Sequence, residues 1–200
     1  MLRTWSDTRF ESEGVESMHT GEQTPNTSKS WFAIKVFYNK VLKLQARLNE
    51  QNIESYIPMK SVEQIVGGHK IRRRKPAISS LMFVQCTENE ASELQALLRG
   101  EALLYTNRGE KSPAPIPDDQ MRTFISVTSI DDIGMEYLGD ITEGWTTGER
   151  VRVIDGIFKG AEGYIKRIKG NHRLVVAIEG IVAVATSYIP SCYLEKVEQN

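Results

Sequence analysis

The sequence has little cysteine and no long apolar segment. Its two cysteines, Cys86 and Cys192, are too few for a disulfide framework or a four-ligand structural zinc site. The longest apolar runs fall far short of the roughly 18 residues needed to cross a bilayer. Residues 1–30 also lack the continuous apolar stretch of a secretory signal. These absences argue against membrane-spanning and disulfide-rich secreted classes, and they predict a cytoplasmic protein.

Motifs of common enzyme classes are also missing. The sequence contains no G-x-S-x-G nucleophile elbow, no Walker phosphate loop and no H-E-x-x-H zinc motif. The histidines, His19, His69 and His172, are isolated from one another, and Cys86 has no evident base beside it, so we expect an inert thiol. The sequence therefore predicts a protein that is not an enzyme and that has no cofactor and no metal site.

The charges nearly cancel, but they are unevenly distributed. The sequence has 25 Lys and Arg residues and 26 Asp and Glu residues, which gives a net charge of −1. Five cations fall within Lys70–Lys75, whereas residues 131–146 carry five acidic side chains and no basic one. A basic segment followed by an acidic connector permits contact with nucleic acid without proving it.

Residues 1–29 are polar and are expected to form a disordered tail, whereas residues 30–130 have the pattern of a folded α/β sandwich. The run Trp31–Phe37 is apolar and β-prone, and Gly67-Gly68 marks a hairpin whose returning arm is basic. The other predicted elements are a helix with a stripe at Val41, Leu44, Leu48 and Ile53, strands at 54–57, 80–86 and 103–105, a helix at 89–98 with Ala91, Leu94, Leu97 and Leu98 inward, and a helix from Asp118 to about Val127.

The last third of the chain has a different pattern. Residues 131–146 predict an acidic linker, which like charges would extend. Residues 147–200 contain five short β-prone runs separated by glycine-containing turns, which indicates a small closed barrel. Gly156, Gly160 and Gly163 are expected to serve turns and bulges. The predicted class is therefore α+β, with an antiparallel-rich sheet, about three helices and a C-terminal β-barrel.

Two parts of the sequence resemble a known family. The run from Gly148 to Gly163, GERVRVIDGIFKGAEG, resembles a KOW motif, which implies an SH3-like barrel. Residues 30–130 resemble the NGN domain of the NusG transcription elongation factors. The matching pieces, in the family's order, are Trp31–Val36, Pro58, the Gly67-Gly68 hairpin, Leu81–Val84 and Pro113–Ile116.

The resemblance extends to a specialised branch of the family. Lys75–Val84 and Pro117–Met121 look more like the UpxY-type antiterminators of capsular polysaccharide operons than like general NusG. Where general NusG has an aromatic-Pro-Gly-Tyr run, this chain has Ile78–Leu81. The resemblance implies a non-catalytic, monomeric bacterial antitermination factor that binds RNA polymerase and promotes read-through of a target operon. The alternative is a KOW-type RNA-binding protein of ribosomal or translation type.

The resemblance also assigns candidate binding residues. In the family, an apolar depression docks onto the clamp helices of RNA polymerase, which implies this role for Trp31, Ile78, Leu81 and Phe83; core packing is the competing interpretation for Trp31 and Phe83. Candidates for contact with non-template DNA or nascent RNA are Lys40, Lys43, Arg47, Lys70, Arg72, Arg73, Arg74 and Lys75, for which a solvated surface is the competing interpretation. On a strand, Arg72 and Arg74 share one face and Arg73 takes the other.

The barrel and the connector give two further hypotheses. Candidates for contact with a ribosomal protein or another factor are Phe158, Lys166, Arg167, Lys169 and Arg173, although Phe158 also suits a packing role. The opposite charges of the two segments also give the hypothesis that the acidic set of the connector shields the basic hairpin until polymerase is engaged; its members are Asp131, Asp132, Glu136, Asp140 and Glu143.

Overall fold

The computed structural model describes residues 28–107, 109–130, 134–138 and 148–197. The predicted tail lies outside these residues, apart from Ser28 and Lys29. Within the described ranges, no helix is both long and apolar enough to cross a membrane.

The N-terminal half is built on an antiparallel sheet with strand order β2-β5-β1-β6, and β7 pairs with β1 beside β6. A separate hairpin, β3 with β4, forms its own two-stranded sheet. The elements in chain order are β1 Ser30–Val36, α1 Val41–Glu50, β2 Glu54–Tyr56, β3 Met59–Val66, β4 His69–Pro76, β5 Leu81–Cys86, α2 Glu88–Leu97, β6 Ala102–Leu104, β7 Pro115–Ile116 and α3 Asp118–Thr128. Together with the C-terminal strands, this confirms the predicted α+β class.

The central strands β1 and β5 are apolar on both faces because both faces are covered. Phe32 and Met82 belong to a core that includes the buried stripes of α1 and α2. Residues of opposite parity, such as Ala33 and Phe83, belong to a second core with α3. Since successive strand side chains alternate between faces, two covered faces require a nearly continuous apolar run.

Helix α2 begins with a capping box, and near its end the burial of Leu97 differs from the prediction. The Thr87 hydroxyl accepts from the Glu90 backbone N–H at 3.2 Å, and the Glu90 carboxylate accepts from the Thr87 N–H at 2.8 Å. The bond from the Thr87 backbone N–H, and secondarily one that the Thr87 hydroxyl donates to the same carboxylate, lower the pKa of Glu90. Leu97 was expected to face inward, but it is 64% exposed. That prediction was wrong because Ala91, Leu94 and Leu98 already complete a stripe at spacings of three and four.

The C-terminal half forms a six-stranded antiparallel sheet with strand order β13-β9-β10-β11-β12-β8, which we call the C-terminal sheet. All five predicted β-prone runs are strands. The sixth, β8, lies inside the predicted linker and pairs with β12, so this part of the linker is not a free extended segment. The bounds are β8 Glu136–Tyr137, β9 Arg150–Val153, β10 Glu162–Ile168, β11 Asn171–Ile178, β12 Val182–Tyr188 and β13 Leu194–Lys196.

Three glycines predicted to serve turns or bulges have two different roles. Gly156 and Gly160 have φ of +82° and +87°, which suits glycine in a turn. Gly163 instead lies within β10, where a Cβ atom would stand 2.3 Å from the backbone oxygen of Val175. Glycine is therefore required at this position for the close approach of β11.

We expect Gly163→Ala to lower the free energy of unfolding by roughly 1–3 kcal/mol, because the backbone of β10 or β11 must shift to admit the methyl group. The matched control is Gly160→Ala, whose added methyl group meets no atom within 4 Å. Only the positive φ at this position destabilises that variant, by about 1 kcal/mol. Urea unfolding of both variants measures the difference. A loss at Gly163 no larger than that at Gly160 would contradict the steric explanation.

Candidate binding surfaces

The four residues expected to contact polymerase meet on one side of the N-terminal sheet, which we call the apolar face: Trp31, Ile78, Leu81 and Phe83. Trp31 and Phe83 lie on the adjacent strands β1 and β5, and Leu81 and Phe83 are almost completely buried. Ile78 is partly buried and packs against the same cluster. The four side chains therefore belong to one cluster, and contact with polymerase stays a prediction for each of them.

This apolar face packs against α3, which in turn packs against β11 of the C-terminal sheet. Phe83 meets Phe124 of α3 edge to face, with ring centroids 5.6 Å apart. The same cluster continues through α3 into Leu174, Val176 and other buried residues of the C-terminal sheet. In this arrangement Trp31, Leu81 and Phe83 are buried, and Ile78 is partly buried against the same cluster.

Polar contacts at the edge of this interface are few among the described residues. The backbone N–H of Glu179 donates to the Gln120 side-chain oxygen at 3.3 Å. The Tyr137 hydroxyl of β8 is buried without a hydrogen-bond partner. Burial, and secondarily the neighbouring Tyr56, raises the pKa of Tyr137, while Arg74 opposes the shift. The interface is held mainly by apolar packing.

Glu136 of β8 binds the C-terminal sheet and not the basic hairpin. Its carboxylate accepts from Lys169 Nζ at 2.9 Å and lies 3.5 Å from Arg173 Nη1. For Glu136 the shielding hypothesis is therefore wrong, because its carboxylate is paired with Lys169 and Arg173 of the C-terminal half. The other members of the acidic set, Asp131, Asp132, Asp140 and Glu143, lie outside the described residues.

The structure places the remaining candidates of the C-terminal half as follows. Phe158 is buried in the core, as the packing interpretation requires. Lys169 and Arg173 hold Glu136, so both carry a structural ion pair. Lys166 and Arg167 lie on β10, and Arg167 donates to the backbone oxygen of Gly170 at a long 3.5 Å.

The β3–β4 hairpin separates its cations onto two faces, as the alternation of strand side chains predicted. Register pairs Lys60 with Lys75 and Val62 with Arg73 on one face, which we call the acid-free hairpin face. Lys70, Arg72 and Arg74 lie on the other face, where Glu63 stands opposite Arg72. Glu63 also approaches Lys70 at 3.8 Å. Like charges directly across two strands repel, so the acid-free face is the one that gains more from an anionic partner.

The three candidate cations at and just before α1 line one depression but have different neighbours; they are Lys40, Lys43 and Arg47. Arg47 Nη1 binds the Glu101 carboxylate at 2.6 Å, which ties α1 to the turn before β6. Lys40 Nζ lies 5.6 Å from the ring centroid of Tyr38. Sequence reasoning missed Tyr38, whose only local signal was an aromatic residue between a strand and a helix.

The described residues contain no group of three or more His, Cys, Asp or Glu side chains that could hold a metal ion. Cys86 is buried on β5. Burial, with a smaller contribution from Glu90, raises its pKa to about 11 against the opposing effect of Lys29. The Cys86 thiol is therefore protonated at neutral pH and is a poor nucleophile.

Comparisons with known proteins bear on the N-terminal half. Residues 29–125 match the family model described as "Transcription termination factor nusG". A search of curated proteins finds no match. The chain is similar to the solved structure titled "Domain interaction in Thermotoga maritima NusG", with a TM-score of 0.45 and 18% identity, covering 86% of this chain and 98% of that chain. Over residues 29–125, slightly less than half of its length, this chain is therefore similar to the NusG family.

Proposed function

We propose that this protein is a non-catalytic transcription elongation and antitermination factor that binds RNA polymerase through its apolar face. The observation that carries the proposal is the similarity of residues 29–125 to the NusG family. NusG family proteins are non-catalytic factors that bind RNA polymerase. The finer assignment, a specialised paralogue that promotes read-through of a target operon, rests on the UpxY-type resemblance of Lys75–Val84 and Pro117–Met121.

In this proposal the apolar face has two alternative covers. In the structure described here the cover is α3 with the C-terminal sheet packed on it, and a helical element of polymerase takes the place of this cover in the bound state. Large apolar side chains such as Trp31 and Phe83 supply most of the affinity of such an interface once they are exposed. The contact between the two halves is mostly apolar and includes few hydrogen bonds. Opening this contact therefore leaves few buried polar groups without a partner.

Opening the interface is therefore expected to strengthen polymerase binding. Ile181 belongs to the shared core at its rim and lies beside Gln120 of α3. We expect Ile181→Asp to raise the affinity for polymerase at least about fivefold, because a carboxylate is costly to bury. Ile157→Asp is the matched control, since Ile157 is already exposed on the same half of the chain. Unchanged affinity of the Ile181 variant in a pull-down titration would contradict the two-cover proposal.

The apolar face itself is tested by Ile78→Asp in the Ile181→Asp background, where the face is open. We expect polymerase affinity and terminator read-through in a defined transcription assay to fall about tenfold or more, because a charge then faces an apolar partner. Ile65→Asp, at the exposed hairpin tip, is expected to change neither. Full polymerase binding by the Ile78 variant would refute this role for the apolar face.

We also propose that the hairpin contacts DNA phosphates through its acid-free face. Replacing Lys60, Arg73 and Lys75 with Gln is expected to lower non-specific DNA affinity and to reduce the slope of log K against log salt by about 2–3. The matched control replaces Lys70, Arg72 and Arg74, whose face also carries Glu63, and it should reduce the slope less. Equal effects of the two triple variants, measured by fluorescence anisotropy, would argue against a preferred face.

A further inference from the structure

Strand β8 makes contacts on both of its faces, and the two faces meet different parts of the molecule. Its backbone pairs with β12, and the Leu138 N–H donates to the Ala183 oxygen at 3.0 Å. Leu138 packs against a small cluster of the C-terminal sheet that includes Ala183. Tyr137 lies on the opposite face and packs against the shared core that contains Phe83 and Phe124. The backbone of β8 thus belongs to the C-terminal sheet, while its aromatic side chain belongs to the core that joins the two halves.

The hydroxyl of Tyr137 lies near groups of the N-terminal half. Burial raises the pKa of Tyr137, and Tyr56 of β2 and Arg74 of β4 also affect it. Tyr56 packs against the same shared core. The Thr128 hydroxyl of α3 donates its one proton to the Phe124 oxygen at 2.6 Å, so Tyr56 must donate its own proton to Thr128, also at 2.6 Å. The neighbouring Tyr56 hydroxyl therefore has no proton to offer to Tyr137.

The attachment of β8 leaves buried polar atoms without partners. Among the described residues, three buried side-chain polar atoms have no hydrogen-bond partner, and two of the three belong to this attachment: the Tyr137 hydroxyl oxygen and Arg173 Nε. Arg173 Nη1 makes two long contacts, at 3.4 Å to the Gly134 oxygen and at 3.5 Å to the Glu136 carboxylate. A buried polar group without a partner is unfavourable, and it regains hydrogen bonds when it reaches water. Detachment of β8 therefore restores hydration that the attached strand has lost.

We propose that β8 is a latch on the contact between the two halves, and that the unpaired Tyr137 hydroxyl makes this latch easy to release. While β8 is paired with β12, Tyr137 adds its ring to the shared core and stabilises the described arrangement. When β8 detaches, the hydroxyl reaches water and the shared core loses an aromatic side chain in the same event. The inference rests on the proposed function and deepens it: molecules whose halves have separated bind polymerase, and the latch sets their fraction.

Two backbone amides of the full chain report the latch and the interface separately. The Leu138 N–H is bonded to Ala183 of β12, and the Glu179 N–H is bonded to the Gln120 side chain of α3 across the interface. Amide hydrogen exchange followed by NMR measures the opening equilibrium at each position without polymerase. If β8 is coupled to the interface, any variant that changes the exchange of Leu138 changes that of Glu179 by the same factor.

The variants move the latch in opposite directions. Tyr137→Phe is expected to slow the exchange of both amides about 5- to 100-fold, because it keeps the ring and removes an unpaired buried group. Its control is Tyr38→Phe, since Tyr38 is already exposed. Glu136→Gln is expected to speed both amides about two- to fivefold, since its ion pairs with the C-terminal half are lost. Its control is Glu149→Gln, which removes an ion pair of the same half that does not involve β8.

Polymerase affinity is measured in parallel by pull-down titration. Because the apparent affinity scales with the fraction of separated halves, Tyr137→Phe should lower it by the factor that exchange gives. Unchanged or faster exchange in Tyr137→Phe rules out the latch, and so does a variant that changes Leu138 but not Glu179. Equal changes at both amides with unchanged polymerase affinity support the latch and count against the proposed function, so the two failures are distinguishable.

Discussion

The structure depends on the burial of both faces of the central strand pair, β1 and β5. The N-terminal half closes one face with α1 and α2, and the second face is closed by α3, on which the C-terminal sheet packs. An apolar face of this kind is unstable in water, since burial stabilises by about 25 cal/mol per Å². The cover supplied by the distant part of the chain is therefore integral to the described arrangement, and any partner that binds this face must replace it.

Charge pairing then decides which cations remain oriented toward partners. Glu101 and Glu136 capture Arg47, Lys169 and Arg173, three of the candidates that the sequence suggested. Glu162 similarly bridges Arg150 and Arg152. The acid-free hairpin face keeps its positive charge because Glu63 lies on the opposite face. The depression lined by Lys40 and Lys43 keeps its charge because its carboxylate, Glu101, is already bound by Arg47. Surface ion pairs contribute little to stability, but they change the electrostatic field that a nucleic acid meets.

Local signals made most of the fold predictable. The β-prone runs, the Gly67-Gly68 turn and the apolar stripe of α1 each depend on neighbours within a few residues, and each appears as expected. The exception is Ile53, which was placed in the helical stripe but lies beyond the last residue of α1, Glu50. The omission of strand β8 depends on a long-range contact, since β8 forms on the edge of β12. The error at Leu97 is local, because Ala91, Leu94 and Leu98 already complete the buried stripe of α2. The family resemblance grouped the four residues of the apolar face, but their place in one buried cluster with α3 and the C-terminal sheet depends on the relative placement of two halves that no local pattern encodes.

The pairing of β8 with β12 also determines how far the two halves can separate. While β8 stays on the C-terminal sheet, only residues 129–135 connect it to the end of α3, a segment that spans at most about 25 Å when fully extended. If β8 detaches, the connection lengthens to residues 129–149 and reaches about 75 Å. The pairing of this short strand thus decides which of two volumes the tethered C-terminal sheet can occupy. In the smaller volume, the effective concentration of the C-terminal sheet near the apolar face is high.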